Sequence, residues 1–110
     1  VAGVVFLVSV LAQALFAGLF VTGDVGFLDM HSVNASVVVF SAAVWVVVSL
    51  IVRAPREMVI AGIAAVVVSV AQVGVGYARI LPLHIPLGVL MFGAAVRLVQ
   101  LAFSYRGASQ

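Results

Sequence analysis

The chain has 110 residues, of which 66% are hydrophobic and only 7% charged. Three acids (Asp24, Asp29, Glu57) stand against five arginines (Arg53, Arg56, Arg79, Arg97, Arg106), and lysine and cysteine are absent. A soluble domain carries about 25% charged residues, so a soluble enzyme is excluded. Five scattered arginines make no basic stripe, which excludes a nucleic-acid binder. Without cysteine there is no disulfide framework, Cys-ligated zinc, iron–sulfur cluster or c-type haem attachment.

A membrane-crossing helix needs about 20 predominantly apolar residues. Four such runs follow one another, at about 1–22, 32–52, 58–78 and 85–105. The first is longer than a secretory h-region of about 7–15 residues and leaves through Thr22-Gly23-Asp24, so it reads as a span rather than a signal. Because the chain opens on Val1 rather than Met, a short preceding piece is expected. The breaks carry nearly all the charge: Thr22 to Met30, Arg53-Ala54-Pro55-Arg56-Glu57, Arg79 to Leu83, and the tail Arg106 to Gln110. Valine is β-branched and favours strands. Membrane strands, however, run only about 10 residues with alternating polarity, and these runs are twice as long and apolar on every face. The expectation is a single all-α domain over 1–110, an integral membrane four-helix up-down bundle.

Arg53, Arg56 and Arg106 fall on one side of such a bundle. The positive-inside rule then puts both termini in the cytoplasm and the 1–2 and 3–4 connections outside, with the plasma membrane as the expected location. A weak repeat divides the chain into two hairpins. Ser9-Val10-Leu11-Ala12-Gln13 echoes Ser69-Val70-Ala71-Gln72, each is followed by a small-residue stretch, and each hairpin then places a histidine at the start of its second helix.

His31 and His84 are the only histidines. Both stand at the outer end of even-numbered helices, which run parallel, so the imidazoles lie on one side at similar depth. Ala35 follows His31 by four residues and Gly88 follows His84 by four, and positions i and i+4 share a helix face. Such a residue leaves a notch beneath the imidazole, where a ligated porphyrin would lie. Neighbouring helices pack about 8–10 Å apart, so diagonal helices stand roughly 12–14 Å apart, about the span of two imidazoles sharing one iron. Zinc wants four ligands, or three and water, whereas haem iron needs two from the protein. The expectation is ligation of one haem b by His31 and His84, against the bland reading of two interfacial histidines.

Arg79, on the histidine side, is placed either to pair with a haem propionate or to snorkel to headgroups. Gln13 and Gln72 are expected to hydrogen-bond across helices in preference to touching a cofactor or quinone. Ser32 and Asn34 are candidates to fix the His31 tautomer. Arg97 is expected to snorkel inward, and Trp45 to pack in lipid or core.

The run Gln72 to Gly76 with Leu81 to Gly88, of the form Gln-x-x-x-Gly … Leu-Pro-x-His-x-x-x-Gly, resembles one four-helix half of haem A synthase. It also resembles small four-helix bacterial membrane proteins with the same histidine–glycine signature. The resemblance covers most of helices 3 and 4 and implies bis-histidine b-type haem binding by His31 and His84. The enzyme's paired cysteines and loop glutamate have no counterpart here beyond Asp24 and Asp29, so haem-methyl oxidation by this chain alone is not expected.

The resulting expectation is a small membrane b-type haem protein with its haem near the outer face. It would move electrons or hold haem, with a membrane redox partner or larger complex, and would not be an enzyme on its own. The alternative is a cofactor-free accessory or assembly subunit. Transport is disfavoured, because no acid lies within the spans. Gly74, Gly76 and Gly93 could serve contacts within the bundle or in a homo-oligomer.

Overall fold

A computed structural model describes residues 1–108. Four helices run in order: α1 (Ala2–Val21), α2 (Phe27–Ile51), α3 (Arg56–Tyr77) and α4 (Leu81–Ala108). All are long and apolar enough to cross a membrane, since a 20-residue helix spans about 30 Å. They form an up-down bundle of 49 × 21 × 19 Å. α1 packs on α2 and α4, and α3 packs on α2 and α4, while neither diagonal pair makes a close backbone approach. Helices α2 and α4 are therefore diagonal, as the sequence predicts.

Three helix ends differ from expectation by more than a residue or two. α2 begins five residues early, because the Phe27 and Leu28 N–H groups bond the Asp24 and Val25 carbonyls at 3.1 and 3.2 Å and add a turn. Phe27 is anchored there by stacking on Phe16 of α1, with centroids 6.0 Å apart. Asp29 then falls in the first turn, where the helix dipole favours an acid. α4 begins at Leu81 because Pro82 needs no N–H partner in a first turn. It runs three residues past the expected end. Each connection closes in the same way. The N–H groups of Asp24, Ala54 and Ile80 reach back to the carbonyls of Leu19, Ser49 and Val75 at 3.1, 2.8 and 3.0 Å. The residue before each adopts the left-handed conformation that ends helices in this way. That residue is Gly23 (φ 119°) in the first connection, but Arg53 (φ 52°) and Arg79 (φ 58°) in the others.

The packed core fills one half of the bundle only. Fully buried residues occur in α1 up to Val10, in α2 from Val38 onward, in α3 up to Ser69 and in α4 from Met91 onward. At its centre lies Trp45, 5% exposed, whose indole N–H donates to the Met58 carbonyl at 3.0 Å. Gly3 and Gly62 make room for that ring: a Cβ on Gly3 would lie 2.8 Å from Trp45 Cζ3, and one on Gly62 would collide with Trp45 Cδ1. Trp45 is therefore a core residue. Arg97, expected to snorkel inward, is exposed and pairs with Glu57 at 3.5 Å. In the other half, residues 11–37 and 70–90, no residue is fully buried, and polar and small side chains turn partly inward.

Candidate functional site: a paired-histidine centre

The second half of the bundle is organised around His31 and His84. Their rings, from diagonal helices, meet with centroids 6.1 Å apart and planes inclined at 65°. Both are half-buried. His31 lies in the second turn of α2 and His84 in the first turn of α4, so the two stand at the same end of the bundle, as predicted.

Each imidazole is tied to the helix that precedes its own. His31 Nδ1 lies 3.1 Å from the Gln13 carbonyl oxygen of α1. His84 Nδ1 lies 3.1 Å from the Gln72 carbonyl oxygen of α3. A carbonyl only accepts, so each Nδ1 carries the proton and donates. In the neutral ring, Nε2 is then left with its lone pair. Neither Nε2 has a hydrogen-bond partner among the described residues. Metal-ligating histidines adopt this arrangement, with the second nitrogen held by a carbonyl. The spacing agrees: a metal about 2 Å from each nitrogen, with each ring centre roughly 1.1 Å behind it, sets two centroids about 6 Å apart. The repeat seen in the sequence is thus a repeat of hydrogen-bond geometry. Gln13 and Gln72 are equivalent because their main-chain carbonyls hold equivalent rings.

Several expectations are corrected in detail. Asn34 does not orient His31. Its amide nitrogen donates to the Ser9 carbonyl at 2.8 Å and to Gln13 Oε1 at 2.9 Å. Ser32 makes no side-chain hydrogen bond among the described residues. The expected cross-helix bonds of the two glutamines are present. Gln13 accepts from Asn34, and Gln72 Nε2 donates to the His84 carbonyl at 2.8 Å. Gln72 Oε1 is buried without a partner. The space one turn below His84 is held by that amide, since a Cβ on Gly88 would lie 3.2 Å from Gln72 Nε2. Ala35 is half-buried below His31. Arg79 is exposed at the histidine end of α3, with no ion pair among the described residues.

Gly76 proves to be part of the site. A Cβ there would lie 2.9 Å from His84 Cε1 and 3.1 Å from Nδ1, so only glycine lets the imidazole lie across α3. Its spacing four residues after Gln72, the residue that holds His84, was the available signal. Gly74 and Gly93 face open space.

No third His, Cys, Asp or Glu joins the pair into a larger metal-binding cluster among the described residues. No protein-family model, curated protein or solved structure matches the chain. Fold and composition define a multi-pass membrane four-helix bundle; two imidazoles are brought together at one end of it.

Proposed function

We propose that the chain is a small b-type haem protein of the plasma membrane, with His31 and His84 as the two axial ligands of one haem near the outer face. The observation that carries this reading is the ring pair: two imidazoles 6.1 Å apart, each with Nδ1 held by a main-chain carbonyl and Nε2 left to coordinate. The surroundings support it as well. Gly76 clears the His84 ring and Gly88 admits the Gln72 amide that holds the His84 backbone, Ala35 keeps the turn beneath His31 slim, and residues 11–37 and 70–90 contain no packed core that a porphyrin would have to displace. Arg79 stands at the same end, suited to a propionate.

A haem held by His31 and His84 would supply a one-electron iron couple, and two histidine ligands from the protein favour electron transfer over oxygen chemistry. The chain's own residues set the conditions. The Gln13 and Gln72 carbonyls fix both tautomers and raise the basicity of the ligating nitrogens. The apolar helices keep water from the centre. Arg53, Arg56 and Arg106 on one side support cytoplasmic termini by the positive-inside rule, and electron transfer calls for a membrane redox partner.

The test is the absorption spectrum of the purified protein, as isolated and after addition of haemin. A low-spin spectrum with sharp α and Soret bands on reduction is expected. Protein that takes up no haem would overturn the reading and leave the accessory-subunit alternative.

A further inference from the structure

The histidine pair has a second ligand chemistry that does not depend on haem. We infer that the haem-free bundle binds one bare monovalent d10 ion, copper(I) or its analogue silver(I), linearly between His31 and His84. A porphyrin needs room on all sides of the line joining the two rings. A bare ion needs only that line, and the rings already stand 6.1 Å apart, the spacing set by two bonds of about 2 Å.

Coordination number, charge and ligand type each narrow the choice. Two donors are present, and no third His, Cys, Asp or Glu completes a cluster among the described residues. Zinc takes four ligands, or three and a water. Closed-shell monovalent ions of the copper group are satisfied by two donors in a line. Both ligands are neutral, because each ring keeps its proton on Nδ1 for the Gln13 or Gln72 carbonyl. An ion bound here therefore keeps its whole charge in a membrane-spanning bundle. The cost of burying an ion grows as the square of its charge, so a divalent ion is disfavoured about fourfold more than a monovalent one. Imidazole is a good ligand for copper. No proton or electron moves on binding: the ion arrives as copper(I), the two Nε2 lone pairs form the bonds, and the Nδ1 protons stay. Both rings lie in the half of the bundle that has no fully buried residue, which leaves a route in. Because the same two lone pairs serve either ligand, a bound ion blocks haem loading.

The experiment uses haem-free full-length protein in detergent, titrated with silver(I) and, without oxygen, with copper(I). One ion per chain is expected. In protein labelled with nitrogen-15 histidine, both Nε2 resonances should shift while both Nδ1 stay protonated. Zinc(II) alone should bind more weakly than silver(I). Silver-loaded protein should refuse haemin until a thiol strips the ion. His31→Ala and His84→Ala should each lose more affinity than the roughly 10–100-fold typical of removing an outer-shell partner. Absence of uptake, unchanged uptake in both variants, or resonance shifts at Nδ1 instead of Nε2 would each overturn the proposal. The labelling result on the native chain stands even where a variant fails to fold. Uptake of silver(I) by a protein that never takes haem would sink the haem reading alone; haem uptake with no silver(I) binding would sink this one alone.

Discussion

Gln72 grips His84 twice. Its carbonyl accepts from the ring Nδ1 at 3.1 Å, and its side-chain amide donates to the His84 carbonyl at 2.8 Å. One residue of α3 thus fixes both the ring and the backbone of the histidine on α4. The main-chain half of the grip cannot be removed by mutation, but the side-chain half can.

Gln72→Leu should leave stability nearly unchanged and weaken haem binding. An interhelical hydrogen bond in a membrane is worth about 0.6 kcal/mol, and its loss is offset by removing the buried unpartnered Oε1, whose desolvation costs about 1–3 kcal/mol. The His84 backbone is freer, and haem affinity should fall roughly 10–100-fold, as for other outer-shell losses. Thermal melts of the haem-free protein and haemin titrations check the two parts separately. A large drop in melting temperature with affinity intact would show that Gln72 only packs.

His31→Ala and His84→Ala should each abolish the low-spin spectrum, since one remaining imidazole leaves iron five-coordinate. The repeat makes the two losses equivalent. Full low-spin occupancy in either variant rules out the pair as axial ligands.

Gly62→Ala probes the opposite half of the bundle. Its new methyl would strike Trp45 Cδ1 and lie 2.9 Å from Val46 Cγ2. Trp45 is pinned by its bond to the Met58 carbonyl, so it has nowhere to retreat. Overpacking of this kind costs about 1–3 kcal/mol. The haem spectrum should not change while thermal stability falls. A shift in the spectrum would mean the two halves are coupled.

The parts of this architecture that were legible in the sequence are those set by hydropathy. Four apolar runs gave four spans, and Arg53-Ala54-Pro55-Arg56-Glu57 gave the tight turn. The diagonal placement of His31 and His84 followed from up-down topology alone. Boundaries were harder to read, because Phe27, Leu28 and Leu81 are apolar residues beside turns, and whether they extend a helix depends on main-chain bonds such as Phe27 N–H to Asp24. The groups that orient the histidines were illegible for the same reason. Asn34 looks like a tautomer-fixing side chain, yet main-chain carbonyls perform that role, and every residue has one. Gly88 was read as an open notch because a sequence cannot show that Gln72 reaches across from α3.

Orientation in the membrane rests on arginine placement. A reporter active only in the cytoplasm, fused after Gln110, should be active, and one active only in the periplasm should be silent. Replacing Arg53 and Arg56 with Gln should weaken this bias, because positive charge near the span ends sets topology. The reverse reporter pattern would move the histidine centre to the inner face.

Gly76→Ala and Gly88→Leu separate the two ways in which small residues can serve this site. At Gly76 the new methyl would meet the His84 ring, 2.9 Å from Cε1 and 3.1 Å from Nδ1. The ring is the end of a flexible side chain, so it can swing away, but only by giving up its bond to the Gln72 carbonyl. Alanine favours helix by about 1 kcal/mol over glycine. The haem-free variant should therefore melt at or above the native temperature, yet fail to give a low-spin spectrum. At Gly88 the first atom met is Gln72 Nε2, 3.2 Å from an added Cβ. Leucine there displaces the amide, breaks its bond to the His84 carbonyl and leaves the Gln72 amide unpaired, at roughly 1–3 kcal/mol if it stays buried. That variant should lose haem and also melt lower when haem-free. If Gly76→Ala lowers the haem-free melting temperature as much as Gly88→Leu does, Gly76 acts through helix packing and the cradle assigned to it is wrong. If Gly76→Ala keeps a native low-spin spectrum, the observed ring position is not the ligating one.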